Sequence, residues 1–65
     1  MPKKRNEVIQ ILMDRDGMTE DEAKELIREV RSMVMEAIER GDFIEAEEIF
    51  MSELGLEPDY IFAVL

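Results

Sequence analysis

Apolar residues recur along this chain at intervals of three and four, with no alternating β-branched run, so the pattern predicts helices and no strands. The first helix is expected from Lys3 to Asp16. Val8, Ile9, Ile11 and Leu12 share one of its faces, and Gly17 stands where a left-handed C-terminal cap is wanted. The second starts at Thr19-Glu20-Asp21-Glu22, a capping box in which Thr19 accepts from a first-turn amide and Glu22 reaches back. Its early acids also suit the positive end of the helix dipole. Ala23, Leu26, Ile27, Val30, Met33, Val34, Ala37 and Ile38 form a broad stripe, Glu20 precedes Lys24 by one turn, and Arg40-Gly41 closes the element. At ~1.5 Å per residue this helix runs about 30 Å, more than one short neighbour covers.

Asp42 is placed to cap a third helix, with Phe43, Ala46, Ile49, Phe50 and Leu54 on its buried side and Gly55 at its end. Pro58 then opens a short last segment in which Tyr60 to Leu65 is apolar without interruption. The expected architecture over residues 1–65 is a single all-α domain of three helices plus a short C-terminal helical turn. Helices two and three form an antiparallel hairpin, and helix one packs across it.

At 65 residues such a core supplies only a few kcal/mol, and the chain has neither Cys for a disulfide nor His for a zinc site. Self-association is the remaining source of stability, so a homodimer through the long second helix or the tail is expected. Met13, Met18, Met33 and Met51 read as core gap-fillers, whereas Met35 stands off the main stripe. Met35, Tyr60, Ile61, Phe62 and Leu65 are the candidate apolar residues for self-association or docking, and for the tail the readings are a cap on its own hairpin's core, exchange into a twofold mate, or a docking peptide.

Charge changes the picture most. Residues 1–40 hold all eight cations and ten carboxylates, while residues 41–65 hold seven carboxylates and no cation, within a net charge of −9. A segment of this kind favours cationic partners and repels phosphate. Glu45, Glu47, Glu48, Glu53, Glu57 and Asp59 are the candidate partner-binding surface. Two readings stay open for it: solubility alone, or docking of a basic protein, in a narrower version a nucleic-acid-binding one met by standing in for a phosphate backbone. Direct nucleic-acid binding is not expected, because most cations interleave with acids, and Lys3-Lys4-Arg5 reads as a solvated helix start. The apolar stretch Val8 to Met13 is broken by Gln10 and is too short for a signal peptide or a membrane span. A cytoplasmic protein is expected.

Candidate chemistry is sparse. With no His or Cys, and Thr19, Ser32 and Ser52 as the hydroxyls beside the single tyrosine, nothing forms a nucleophile with a neighbouring base. Asp14-Arg15-Asp16-Gly17 resembles the start of a calcium loop, yet alignment on Gly17 puts Leu12 at the first ligand position and Ala23 at the twelfth. Asp42, Glu45 and Glu48 have helix-neighbour spacing but read as solvated carboxylates. No enzyme activity, cofactor or metal is expected.

Gly41-Asp42-Phe43, with Ala46, Phe50 and Pro58 following, resembles the second half of a tetratricopeptide repeat. That resemblance implies a helical hairpin closed by a small residue and an aromatic. It implies no peptide groove, because such repeats act in stacks and one partial unit is present. Across most of the chain, Gly17-Met18-Thr19 with Glu22-Ala23, then Gly41-Asp42, then Leu54-Gly55-Leu56-Glu57-Pro58-Asp59-Tyr60, resembles small uncharacterised phage and prophage proteins of bacteria. The resemblance implies a non-enzymatic accessory factor that binds and modulates a host protein. The competing expectation is a structural protein whose activity is homo-oligomerisation.

Overall fold

The longest element sets the dimensions of the molecule. In a computed structural model that describes residues 4–65, helix α2 spans Glu20–Glu39, and the molecule measures 33 × 25 × 16 Å. Its start is the expected capping box: the Thr19 hydroxyl accepts from the Glu22 amide at 3.2 Å, and the Glu22 carboxylate accepts from the Thr19 amide at 2.9 Å. Lys24 pairs with Glu20 at 3.1 Å on the exposed side. At the other end Gly41 takes φ +80°. Its amide donates to Ile38 and that of Asp42 donates to Ala37, a Schellman closure that satisfies two terminal carbonyls. Helix α3, Phe43–Leu54, follows at once, with the Asp42 carboxylate accepting from the Glu45 amide at 3.1 Å.

The protein is all-α, with four helices among the described residues. The most extensive packing joins α2 to α3, as an antiparallel hairpin requires, and α1, Arg5–Asp16, lies against α2 and the last helix α4, Ile61–Val64. A 3-10 turn at Pro58–Tyr60 leads into α4. The expected start of the first helix at Lys3 falls outside the described residues. Lys4 precedes α1 without a side-chain cap.

One core serves all four helices. Val8 and Leu12 come from α1, Ala23, Ile27, Val30, Val34 and Ala37 from α2, Ala46, Phe50 and Leu54 from α3, and Ile61 and Val64 from α4. The α2 stripe is narrower than expected: Leu26 and Ile38 are half-buried at its edges, and Met33 is exposed. Ile11 on α1 is likewise only half-buried, since Val8, Ile9 and Leu12 point more directly at α2. The apolar groups follow 3.6-residue geometry, and those about a sixth of a turn or more from the stripe's centre drift out of the contact.

A side chain locks the end of α3. Gly55, at φ +64°, lets the chain leave the helix, and Arg15 from the last turn of α1 donates to the carbonyls of Leu54 at 2.6 Å and Gly55 at 3.0 Å. Asp16 grips the same guanidinium at 2.8 Å on two nitrogens, which fixes the direction of the fork. A cation at a helix C-terminus also opposes the dipole there. This hydrogen bond from Arg15 holds the Asp16 carboxyl below its ordinary range, and Asp16 in turn raises the Arg15 guanidinium.

Two tests follow from this arrangement. Phe50→Ala removes the largest fully buried side chain at a cost of about 3–5 kcal/mol, comparable to the whole stability of a domain this size. Urea titration read by circular dichroism is expected to show no cooperative transition for that variant; a full transition would place the centre of the core elsewhere. Arg15→Ala is expected to lower stability by about 1 kcal/mol, since the bonds it makes to α3 are partly exposed. Because the folded Asp16 carboxyl ionises below its unfolded value, its contribution is present above the ordinary carboxylate range. That contribution is lost as pH falls through the folded value. The stability gap between wild type and Asp16→Asn should close in acid; a gap that persists there would contradict the clamp.

Candidate partner-binding surface

The acidic candidates do not form one face. Successive residues of a helix are ~100° apart around the axis, so Glu45 and Glu47 of α3 lie on nearly opposite flanks, and Glu48 and Glu53 are widely separated. Around this helix the carboxylates occupy most of the arc that the core leaves free. Glu45 and Glu47 are half-buried, while Glu48 and Glu53 are exposed, as are Glu57 and Asp59 beyond the helix.

The expectation of a surface without a cation is corrected at two points. Arg40, at the end of α2, pairs with Glu45 at 2.6 Å and Glu36 at 3.4 Å, and its guanidinium is raised chiefly by the Glu45 hydrogen bond. Arg15 sits over the C-terminus of α3. Both cations precede Gly41 in sequence and reach the later segment only through the fold. Glu47, Glu48, Glu53, Glu57 and Asp59 make no ion pair among the described residues, and the negative excess of this half of the molecule therefore remains.

The tail divides. Helical spacing turns Ile61 and Val64 into the core, with Ile61 only 1% exposed, and turns Phe62 outward at 71%. Ile61 is thus a core residue of its own chain rather than a surface group. Leu65 stays exposed, with its carbonyl accepting from Arg31 of α2 at 3.3 Å, and Tyr60 is half-buried against the core cluster. Met35, expected at the surface, is half-buried and lines a shallow groove along α2 with Arg28, Arg31, Ser32, Glu36 and Glu39.

The outward half of the tail meets the beginning of α3. Phe62 stacks on Phe43 with ring centroids 6.3 Å apart and planes inclined at 26°. The sequence pattern puts Phe43 on the buried side of the third helix, but it is 41% exposed. It belongs to the first turn, where the core has ended and the Phe62 ring is its recorded aromatic neighbour. Ile44, next to it, is 71% exposed. Neither Phe43 nor Ile44 was a site candidate from sequence. Ile44 lies outside the α3 stripe, a signal that was present, whereas the return of the tail to Phe43 is a tertiary event.

Phe43 and Ile44 at the start of α3, Phe62 on α4 and Leu65 just after it are large apolar groups left exposed. Among the described residues no three carboxylates converge into a group able to hold a metal ion, and no helix is long and apolar enough to cross a membrane. No protein family, curated protein or solved structure matches the chain.

The split of the tail is tested by paired substitutions. Ile61→Ser should lower the thermal midpoint markedly, with a loss of about 2 kcal/mol or more, while Phe62→Ser should stay within about 1 kcal/mol of wild type. Equal losses at the two positions would mean that Phe62 is also part of the core.

Proposed function

We propose that this chain is a non-enzymatic, acidic protein-interaction module that binds and modulates a basic protein of a bacterial host, in the manner of a phage accessory factor. The observation that carries the reading is the unpaired negative charge of the 41–65 segment. Of the seven carboxylates there only Glu45 has an ion-pair partner among the described residues, Asp42 caps α3, and a screening length of about 8 Å at physiological salt still leaves the field of the other five effective at contact. Steering of a cationic surface toward such a field raises the association rate more than the final affinity. The carboxylates are spread around α3, which favours capture of a flexible or concave cationic partner over imitation of a regular phosphate ladder.

A second reading, assembly through self-association, draws on the exposure of Phe62. A charge of −9 on each copy opposes it.

The discriminating variant neutralises Glu48, Glu53 and Glu57 together to Gln. These groups are exposed, so helicity should not change. Capture of basic proteins from a bacterial lysate, eluted across a salt series, is expected to fall by about an order of magnitude for this variant, as removal of rim charge slows association. Undiminished capture would leave the negative segment with no part in binding. A wild type sedimenting as a stable dimer at micromolar concentration, without basic partners, would favour assembly.

A further inference from the structure

Glu47 and Glu48 of α3 follow the exposed aromatic pair within one turn of Phe43 and Ile44, and this combination restricts what covers the apolar surface. We infer that the surface formed by Phe43, Ile44, Phe62 and Leu65 docks a cationic amphipathic helix of the partner, whose apolar stripe seats on the stacked rings and whose Lys and Arg residues face the surrounding carboxylates. This rests on the reading of the chain as an acidic interaction module and assigns that module its anchor.

The apolar part is built on the Phe43–Phe62 stack. Phe43 and Phe62 are stacked at 6.3 Å, Ile44 follows Phe43 in the first turn of α3, and Leu65 comes one turn after Phe62. Two short helical segments thus present four large side chains, which suits the i, i+3, i+4 anchors of an incoming helix. The exposed rings also accept Lys or Arg against their faces.

Charge decides between occupants. Glu47 lies one turn beyond Phe43, Glu48 one turn beyond Ile44, and Asp59 three residues before Phe62 in the helical run that starts at Pro58. Two cations that reach these elements are engaged: Arg40 pairs with Glu45 and Glu36, and Arg31 donates to the Leu65 carbonyl. In a twofold contact a second copy would bring the same carboxylates against themselves, within a total of −9 per chain. A cationic helix gains at each of these positions, and its apolar stripe removes Phe62 and Ile44 from water.

The test uses three synthetic helical peptides at physiological salt: one with Leu at helical anchor spacing and Lys elsewhere, one with the Leu replaced by Ser, and one with the Lys replaced by Glu. Binding is followed by amide chemical shifts of the labelled full chain. The Leu/Lys peptide is expected to bind wild type with the largest shifts at Phe43, Ile44, Phe62 and Leu65. Against the Ile44→Ser, Phe62→Ser double variant its affinity should fall about tenfold or more, as removal of two central anchors implies. Circular dichroism of the variant checks that the helices are intact, and no binding of the Leu/Glu peptide is expected. If the Ser/Lys peptide binds as well as the Leu/Lys peptide, with the double variant unaffected, the apolar anchor is wrong while the acidic module stands. Failure of both cationic peptides would overturn the anchor and the module together. A free chain that sediments as a dimer, and as a monomer after Phe62→Ser, would give the surface to a second copy and overturn the inference.

Discussion

The close packing of α3 on α2 is the contact on which the rest of this structure depends. Ala37 and Ala46 stand at equal distance from the Gly41-Asp42 turn and both are fully buried, so the two helices approach with little bulk between them. The antiparallel return brings the end of α3 beside the last turn of α1, where Arg15 holds the carbonyls of Leu54 and Gly55. It also fixes where the remaining chain must go. After Gly55 the tail runs back to the start of α3, and the Phe43 and Phe62 rings meet there. A disulfide-free chain of this size has little stability to spare, and its four helices share one core rather than forming separable parts.

Negative charge is tolerated because the fold places its cations where backbone and carboxylate charge would otherwise accumulate. Arg15 answers the C-terminus of α3, and Arg40 answers Glu45 and Glu36 beside the hairpin turn. The remaining carboxylates point outward, where solvation keeps their mutual repulsion small. What is left over is a field without internal compensation, next to an apolar surface that the chain does not cover itself. Stability and proposed function draw on one distribution of charge: the cations spent on closing the fold leave the outer carboxylates free to meet a partner.

The helices were legible because their ends are written locally. Thr19 with Glu22, Asp42 with Glu45, and the left-handed glycines at 17, 41 and 55 all act within a few residues of where they occur. The hairpin followed from the short turn between two apolar stripes. The site was less legible, since its features join residues far apart in sequence. The reach of Arg15 spans about forty positions, and the Phe43–Phe62 stack depends on how the tail turns after Pro58. The run from Tyr60 to Leu65 reads as uniformly apolar; helical geometry turns Ile61 and Val64 inside and Phe62 outside, while Leu65, beyond the end of α4, stays exposed. The acidic segment is visible in the sequence, but charge counted along a sequence does not show that Arg40 neutralises part of it.

The tail folds onto its own chain, burying Ile61 and Val64 while leaving the stacked Phe43–Phe62 pair exposed. Isotope-filtered nuclear Overhauser spectroscopy on a mixture of labelled and unlabelled protein tests it most directly. Ring-to-ring contacts between Phe43 and Phe62, and methyl contacts from Ile61 and Val64 to the core, are expected within one molecule. The same contacts appearing between molecules would show a tail exchanged with a second copy and would contradict the account.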